Sequence, residues 1–146
     1  PIESLESEYP LMVEKFEMLP DSGGAGKYRG GLGVRRDIRI LNHECTFSIK
    51  ADRQRIAPWG LFGGKNGTMG AVILDPDTER EELLDPKKSG MLLPPGSLVS
   101  VRTPGAGGYG DPKERSIEKI KFDVEEGLVT LESARRDYGI SDLELQ

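Results

Sequence analysis

Alternating apolar and polar positions dominate the first two-thirds of the chain and predict a series of β-strands. The clearest alternation lies in residues 34–40, where Val34, Ile38 and Ile40 fall on one side and charged residues on the other. Successive side chains of a strand point to opposite faces of a sheet, so a period of two is typical of a half-buried strand. We therefore predict a strand over residues 34–40.

A second alternation follows directly and predicts a hairpin with the first. Cys45, Phe47 and Ile49 alternate with polar residues, and only residues 41–44 separate them from the preceding strand. A connection of this length is typical of a reversal between neighbouring antiparallel strands. We expect the two strands to pair with each other.

Shorter apolar runs predict the remaining strands. In residues 11–18 the period of two is broken, and the pattern places Met12, Phe16 and Met18 on one face. Turn-forming sequences such as Asp75-Pro76-Asp77 separate the later runs, because Asp and Pro favour chain reversal. These later predicted strands lie at 71–74, 91–93 and 97–103.

After Asp111 the apolar residues recur every three or four positions, which is typical of an amphipathic helix. Asp111 is typical of an N-cap, Pro112 of a first helical position and Glu114 of a capping-box acceptor. A second, shorter helix is predicted to begin after Thr130 as its cap and to end at Gly139. The apolar stripe of the first helix consists of Ile117, Ile120, Val124 and Leu128.

These elements predict a mainly β (α+β) fold. We expect an antiparallel β sandwich or distorted barrel with a short C-terminal helical pair packed on it, and a mixed α+β layer fold is the alternative. The 146 residues suit a single domain. Within it we assign residues 1–111 to a β-rich body with glycine loops and residues 112–146 to a helical appendix. Residues 1–10 are expected to form a lead-in with one helical turn.

Composition and charge argue against nucleic acid as a binding partner and against a membrane-spanning segment. The net charge is −5 and basic residues are scattered, so no basic stripe is available to bind nucleic acid. No apolar run approaches the roughly 20 residues of a membrane span. The single cysteine allows no internal disulfide, which fits a reducing, cytoplasmic location. The first residue is Pro1 rather than Met, so we expect the chain to begin inside a longer polypeptide.

Glycine clusters are the most unusual feature of the sequence. Nineteen glycines are present, and many lie in the stretches 20–33, 57–70 and 103–110, which suggests loops that need unusual backbone angles. Residues 105–110 match GxGxxG, a dinucleotide-binding pattern. However, Asp111 places a carboxylate where a phosphate would bind, and no strand follows to complete a βαβ unit. We therefore predict no nucleotide site here.

Few residues are candidates for catalysis or ligand binding on the basis of their side-chain chemistry alone. His43 and Cys45 are close in sequence, but a turn role for His43 and a buried packing role for Cys45 fit their positions better than catalysis. Asp52 and Arg53 precede Trp59 on a glycine-rich loop, a combination that small-molecule sites and subunit interfaces both use. A surface loop with a packed Trp is the alternative for this segment.

Several segments, in order along the chain, resemble the hydantoinase B/oxoprolinase family. Residues 20–31, PDSGGAGKYRGG, resemble the family's signature, and residues 1–10 resemble the segment that precedes it. Asp52-Arg53 with 58–61, the stretch 103–112 and the tail at Tyr138-Gly139 are also similar to family segments. The resemblance therefore covers nearly the whole chain.

This resemblance implies a subunit of an enzyme that opens cyclic amides, such as hydantoins or 5-oxoproline, with ATP hydrolysis. A related ATP-dependent ketone carboxylase is an alternative, as is a noncatalytic β-rich assembly module. ATP is expected to bind to a hydantoinase A-type partner subunit or domain. The family's metal ligands are expected N-terminal to the matched region, so no metal ligand is predicted here and the isolated chain is expected to be inactive.

No catalytic residue is predicted. We expect the glycine loops at 22–26 and 105–108 to line a cleft shared with the rest of the subunit, where backbone amides would bind an anion or oxyanion. The partners expected are the hydantoinase A-type subunit, the rest of the same subunit and a small cyclic amide. The candidate residues for the substrate or interface loops are Ser22, Gly23, Gly24, Gly26, Asp52, Arg53, Trp59, Gly105, Gly107 and Gly108.

Overall fold

Two antiparallel sheets form the body of the protein in the computed structural model, which describes residues 1–141. A two-turn helix precedes the first strand, and the predicted strands at 11–18, 34–40 and 71–74 are found at those bounds. The elements of the body are α1 (Ile2–Glu8), β1 (Leu11–Met18), β2 (Val34–Ile40), β3 (Cys45–Lys50), β4 (Ala71–Leu74), β5 (Glu82–Leu83), β6 (Lys87–Leu93) and β7 (Leu98–Arg102).

The larger sheet has the strand order β1-β2-β7-β4-β5, and the smaller sheet pairs β3 with β6. One face of the larger sheet packs against the smaller sheet, as Cys45, Phe47 and Met91 pack on its buried residues. The prediction of an antiparallel β body is thereby confirmed, and the two sheets do not close into a barrel within residues 1–141. The buried residues of this sheet core are Ile40, Val72, Leu84, Leu93 and Val99.

The predicted hairpin between β2 and β3 is wrong. Strand β2 pairs with β1 along one edge and with β7 along the other, so neither of its edges is available to β3. Residues 41–44 instead carry the chain from one sheet to the other, where β3 pairs with β6. Alternation correctly located both strands, but it holds no information about which strand is the hydrogen-bonding partner.

A β-bulge corrects the predicted face of β1. The register against β2 shifts between Val13 and Lys15, which places one extra residue in the strand. Phe16 and Met18 therefore share a face with Val13, whereas Met12 points to the other face. The broken period seen in the sequence is the signature of this bulge.

The helix predicted to begin at Pro112 is interrupted. Asp111 caps a 3-10 turn, Pro112–Glu114, and its carboxylate accepts a hydrogen bond from the Lys113 amide. The chain then extends before α2 (Ile117–Glu125) begins. The side chain of Glu114 forms an ion pair with Lys27, so it does not serve as the capping-box acceptor.

The final helix follows the prediction within the described residues. It consists of α3 (Leu131–Ser133), continued by a π-helical turn over Ala134–Tyr138. Thr130 caps it by accepting a hydrogen bond from the Ser133 amide, and Gly139 ends it with a φ of 72°. The predicted appendix runs to residue 146, of which residues 142–146 lie outside the described range.

The C-terminal helices pack against a glycine-rich segment. Ile120, Ala134 and Tyr138 of these helices form an apolar cluster with Val129, in the connection between them, and with Ala25, in the first glycine-rich stretch. The protein therefore has a second core beside the one between the sheets. Within residues 1–141, no helix is both long enough and apolar enough to cross a membrane.

Candidate functional site

Three glycine-rich segments pack together, backbone against backbone; we call residues 22–31, 57–68 and 103–110 the glycine bundle. Hydrogen bonds between main-chain groups join all three. The Gly24 amide donates to the Ala106 carbonyl at 2.8 Å, the Lys65 amide to the Ala25 carbonyl at 2.7 Å and the Gly108 amide to the Lys65 carbonyl at 2.9 Å. The bundle thus brings stretches that are distant in sequence into direct main-chain contact.

Close approach explains the glycines of the bundle. A Cβ on Gly24 would overlap the Lys65 carbonyl oxygen, one on Gly105 the Ser22 carbonyl oxygen and one on Gly107 the Trp59 carbonyl oxygen. No glycine between residues 22 and 33 has a positive φ. The expectation that these glycines supply unusual backbone angles is therefore wrong for the first segment, because they are required by contact with neighbouring backbone.

Many amides of the bundle donate hydrogen bonds within the protein. Those of Gly24 and Gly108 donate to backbone carbonyls, as described above, so they are not directed at a ligand. Ser22 is also occupied, since its hydroxyl donates to the Leu19 carbonyl at 2.5 Å and accepts from the Gly33 amide at 2.8 Å. Lys27 pairs with Glu114 at 3.0 Å. Ser22, Gly24 and Lys27 thus have partners within the protein, and the absence of a nucleotide site stays a prediction.

Arg53 and Trp59 form the exposed part of the candidate site. The Arg53 guanidinium lies 4.6 Å from the centre of the Trp59 ring, a cation–π geometry. Trp59 is 60% exposed, and its carbonyl group lies directly against Gly107 in the glycine bundle. Asp52 is exposed on the same loop. The structure therefore brings the predicted candidates into one region, with the glycines inside and these three residues at the surface.

A shallow groove of about 530 Å³ runs beside this loop, between residues 51–56 and residues 85–87. Arg55 pairs with Asp85 across it at 3.0 Å. Arg53 adopts a φ of 60°, which is uncommon for a long side chain, and its carbonyl accepts a hydrogen bond from the Gly70 amide at 3.0 Å. Local strain of this kind is frequently found at functional positions.

A buried ion cluster, not predicted from the sequence, joins the bundle to α2. The Asp123 carboxylate is 2% exposed and accepts two hydrogen bonds of 3.1 Å from Arg29 and one of 2.7 Å from Arg115. The sequence contained a signal for it. Asp123 lies three residues after Ile120, on the apolar stripe of the helix, where an unpaired carboxylate would be costly.

Two further contacts attach the C-terminal helix to the bundle and to Asp21, the residue just before its first segment. Thr130 donates to the Asp21 carboxylate through its amide and its hydroxyl, both at 2.8 Å. Lys65 pairs with Asp137 at 2.7 Å. Burial would raise the pKa of Asp137, but hydrogen bonds from Arg136 and Lys65 outweigh burial and lower it. Tyr138 lies next to Asp137, in the apolar cluster with Ala25, and burial there raises its pKa.

Asp37 is a second buried carboxylate that the sequence did not identify as special. It lies on the face of β2 opposite the sheet core, with 1% exposure, and Arg35 donates to it at 2.6 to 3.0 Å. Burial by itself would raise the pKa of Asp37. Hydrogen bonds from Arg35 and Ser100 outweigh burial, so its pKa lies below the ordinary value. It is placed to stabilise the sheet.

Cys45 and His43 lie apart from these clusters. Cys45 packs against the sheet core, as predicted, and burial raises the pKa of its thiol. A raised pKa reduces the fraction of thiolate, the nucleophilic form, at neutral pH. His43 lies in the connection between β2 and β3. Within residues 1–141, no three His, Cys, Asp or Glu side chains converge as a metal site would require.

Comparison with known families decides the relationship suggested by the sequence. The model of the family described as Hydantoinase B/oxoprolinase matches residues 1–112. The chain belongs to the hydantoinase B/oxoprolinase family. The matched range includes the two sheets and the complete glycine bundle, so the family's pattern coincides with the candidate site. The C-terminal helices lie beyond it.

Relatives of this hydantoinase B/oxoprolinase chain are longer proteins. It is 44% identical to an uncharacterized protein of Methanocaldococcus jannaschii over 96% of its own length and 24% of the relative's. It is 37% identical to the B-type component of a putative D-/L-hydantoinase from a Pseudomonas strain, covering 97% of its own length and 24% of the relative's. The chain therefore spans about a quarter of the length of these relatives.

A solved structure shares the fold. The ATP-dependent caprolactamase from Pseudomonas jessenii superposes with a TM-score of 0.83 at 31% identity, over 98% of this chain and 26% of that one. Both the putative hydantoinase and the caprolactamase are named for cyclic amides. The enzymes to which this family member is related are thus, in general kind, hydrolases of cyclic amides.

Proposed function

We propose that this chain is part of an ATP-dependent cyclic-amide hydrolase, in which it shapes the active site and the subunit interface. The reaction class rests on one observation. The chain matches proteins named hydantoinase and caprolactamase over about a quarter of the length of each. In this proposal ATP is bound by a hydantoinase A-type partner in the cytoplasm. The isolated chain does not hydrolyse the amide, and the remaining part of the subunit completes the site.

The contacts of the glycine bundle support a scaffolding role for its interior. Many of its amides, those of Gly24 and Gly108 among them, and the Ser22 hydroxyl are bonded within the protein, which suits a bundle that holds other residues in position. Fixed position is itself a catalytic contribution, because groups held in the productive geometry avoid an entropic cost during reaction. The residues it holds at the surface are then those that face the substrate or the neighbouring polypeptide.

Arg53 and Trp59 are the residues we place at that shared surface. Trp59 is anchored by its main chain against Gly107, while its ring and the stacked guanidinium remain exposed. A flat ring with a cation above it suits a small cyclic amide, since the planar amide group can lie against the ring while the guanidinium donates hydrogen bonds to the carbonyl oxygen. The alternative, a noncatalytic assembly module, places the same two residues against a partner protein instead.

The test compares Arg53→Ala with Arg55→Ala in the complete complex with its ATP-binding partner. Arg55 lies on the same loop but pairs with Asp85, away from the Trp59 ring, and is the matched control. Hydantoin, 5-oxoproline and caprolactam are offered in turn with ATP, and release of ring-opened product is measured. We expect Arg53→Ala to lower kcat/KM about tenfold or more without loss of assembly, as expected when a positioned charge is removed, and Arg55→Ala to have little effect.

Other outcomes separate the alternatives. Loss of assembly in Arg53→Ala, seen by size-exclusion chromatography, would favour the noncatalytic module. Normal assembly with unchanged kcat/KM would remove Arg53 from the active site. If the assembled wild-type complex opened none of the three cyclic amides, the proposed reaction class would be wrong.

A further inference from the structure

Three exposed aromatic side chains meet at one end of the glycine bundle. Tyr28, Phe62 and Tyr109 come one from each segment, and we call them the aromatic tip. The ring centre of Tyr109 lies 6.2 Å from that of Tyr28 and 5.0 Å from that of Phe62, both within contact range for aromatic pairs. Their exposures are 56%, 77% and 48%. A continuous apolar surface of this kind is uncommon on a protein that has no partner.

The backbone of the bundle fixes the aromatic tip. Tyr28 and Tyr109 exchange two main-chain hydrogen bonds, of 3.0 and 2.9 Å. Leu61 donates to the Gly108 carbonyl and accepts from the Gly110 amide, both at 2.9 Å. All three aromatic residues are thus held relative to one another by the main chain itself. A preformed surface loses little conformational freedom when a partner binds, which favours affinity.

Phe62 has a conformation that its side chain does not favour. It lies in a four-residue turn closed by a hydrogen bond from the Gly64 amide to the Leu61 carbonyl at 3.0 Å. Both central residues have positive φ, 52° at Phe62 and 93° at Gly63. Asn, Asp or Gly is the usual residue at the Phe62 position of such a turn. With 77% exposure, the ring also gains little burial within the described chain, so folding does not explain a Phe here.

We propose that the aromatic tip is a docking surface for the polypeptide that corresponds to the other three-quarters of a hydantoinase B-type subunit. This inference rests on the proposed function, because it assumes assembly into such a subunit. The occupant follows from the comparison: the caprolactamase contains this fold as 26% of a longer chain. Phe62 at the apex of the turn enters an apolar recess of that polypeptide.

The shape and charge of the tip favour a polypeptide over a small molecule. A turn apex projects its side chain outward, whereas small ligands are usually enclosed by concave surfaces. The Lys119 amino group lies 5.8 Å above the Tyr28 ring and places a positive charge at the edge of the apolar surface. An aromatic centre with a charged rim is typical of protein interfaces.

The experiment titrates the 146-residue chain with the unmatched three-quarters of the B-type component of the Pseudomonas hydantoinase, by calorimetry, once circular dichroism and cooperative urea unfolding have shown that this titrant is folded. Wild type, Phe62→Asn and Phe16→Asn are compared. Asn tolerates positive φ, so Phe62→Asn keeps the turn and the urea midpoint of unfolding at or above that of wild type. Phe16 is the matched control, an exposed Phe on β1 with 56% exposure that lies outside the tip.

We expect wild type and Phe16→Asn to bind with similar affinity and Phe62→Asn to bind about tenfold more weakly or worse, as for a central aromatic anchor. Equal binding by Phe62→Asn, or no binding by wild type, would overturn the proposal. The result is independent of turnover: cyclic-amide hydrolysis with no dependence of binding on Phe62 would disprove the docking surface alone. Binding that depends on Phe62, in a complex that opens no cyclic amide, would disprove the reaction alone.

Discussion

Most glycines of the bundle face another stretch of backbone, so these positions require a residue that has no side chain. Gly105 faces the Ser22 carbonyl and Gly24 faces the Lys65 carbonyl, in both cases with no room for a methyl group. Neither obstacle is the end of a flexible side chain that could move aside. Gly31, in the first segment, has open space where its Cβ would stand. Neighbouring glycines in one sequence motif therefore differ in their structural requirement.

Substitution by alanine should separate these two kinds of glycine. Gly105→Ala forces two lengths of main chain apart, and we expect the free energy of unfolding to fall by about 3 kcal/mol or more. Gly31→Ala should be neutral or stabilise the protein by up to about 1 kcal/mol, because the unfolded chain loses freedom while the folded chain is unstrained. Urea denaturation measures both. Equal effects of the two substitutions would show that close packing does not distinguish them.

Asp37 makes a pH-dependent contribution to stability. Its pKa is depressed in the folded protein, so the contribution is fully present above the ordinary Asp pKa of about 3.9 and is lost as the pH falls through the folded value. Asp37→Asn should lower the free energy of unfolding at pH 7 by about 1 to 3 kcal/mol. The difference from wild type should shrink below about pH 4.

The control for this prediction is Asp77→Asn. The Asp77 carboxylate lies 3.8 Å from the same Arg35 guanidinium but is 78% exposed. Solvent screens such a contact, so we expect a change within about 0.5 kcal/mol. Denaturation measured between pH 3 and pH 7 decides the matter, and a constant gap between Asp37→Asn and wild type over that range would contradict the assignment.

At the level of elements, α2 is held by the apolar packing of Ile120 and by one buried carboxylate, that of Asp123. Asp123 connects Arg29 in the first glycine segment with Arg115 just before the helix. The exposed side of the same helix contributes no comparable contact, as Phe122 is 57% exposed. Removal of Asp123 leaves two largely buried guanidinium groups without their charge partner. Such a change lowers the free energy of unfolding more than replacement of all three residues by apolar ones would.

Asp123→Ala should therefore loosen the C-terminal helices. We expect a loss of about 3 to 5 kcal/mol in the free energy of unfolding, together with faster hydrogen exchange in residues 117–140. Glu126→Ala, at an exposed position next to the end of α2, is the control and should change stability by less than about 0.5 kcal/mol. Hydrogen exchange in Asp123→Ala that is unchanged in residues 117–140 would show that other contacts hold the helices.

The elements also show how far the sequence determines the fold. Strands at 11–18, 34–40 and 71–74 follow from local alternation and turn chemistry, and the caps at Thr130 and Gly139 follow from local hydrogen bonding. The partner of β2 does not follow, because β7 lies far along the chain and pairing is a long-range choice. The same holds for Asp123 and Arg29, whose link joins residues 94 apart.

For the molecule as a whole, the arrangement of two cores was not apparent from the sequence. Glycine clusters are expected in loops at the surface, but here three of them form a packed body to which the C-terminal helices attach through Ala25. The structure brings the candidate residues Gly24, Gly107 and Trp59 close together, and their place in a substrate or interface loop stays a prediction. Their roles were not predictable, because a glycine in contact with backbone and a glycine facing a ligand look the same in sequence.

The packing of the glycine bundle restricts how the length of these segments can change. Each glycine within 22–26 or 105–108 must lie opposite particular backbone atoms of another segment. Insertion or deletion of one residue there would shift every later glycine of that segment away from the backbone that it now faces. Most surface loops accept such changes readily. In this protein, variation in length between homologous chains should be confined to the connections outside the bundle, such as residues 76–81.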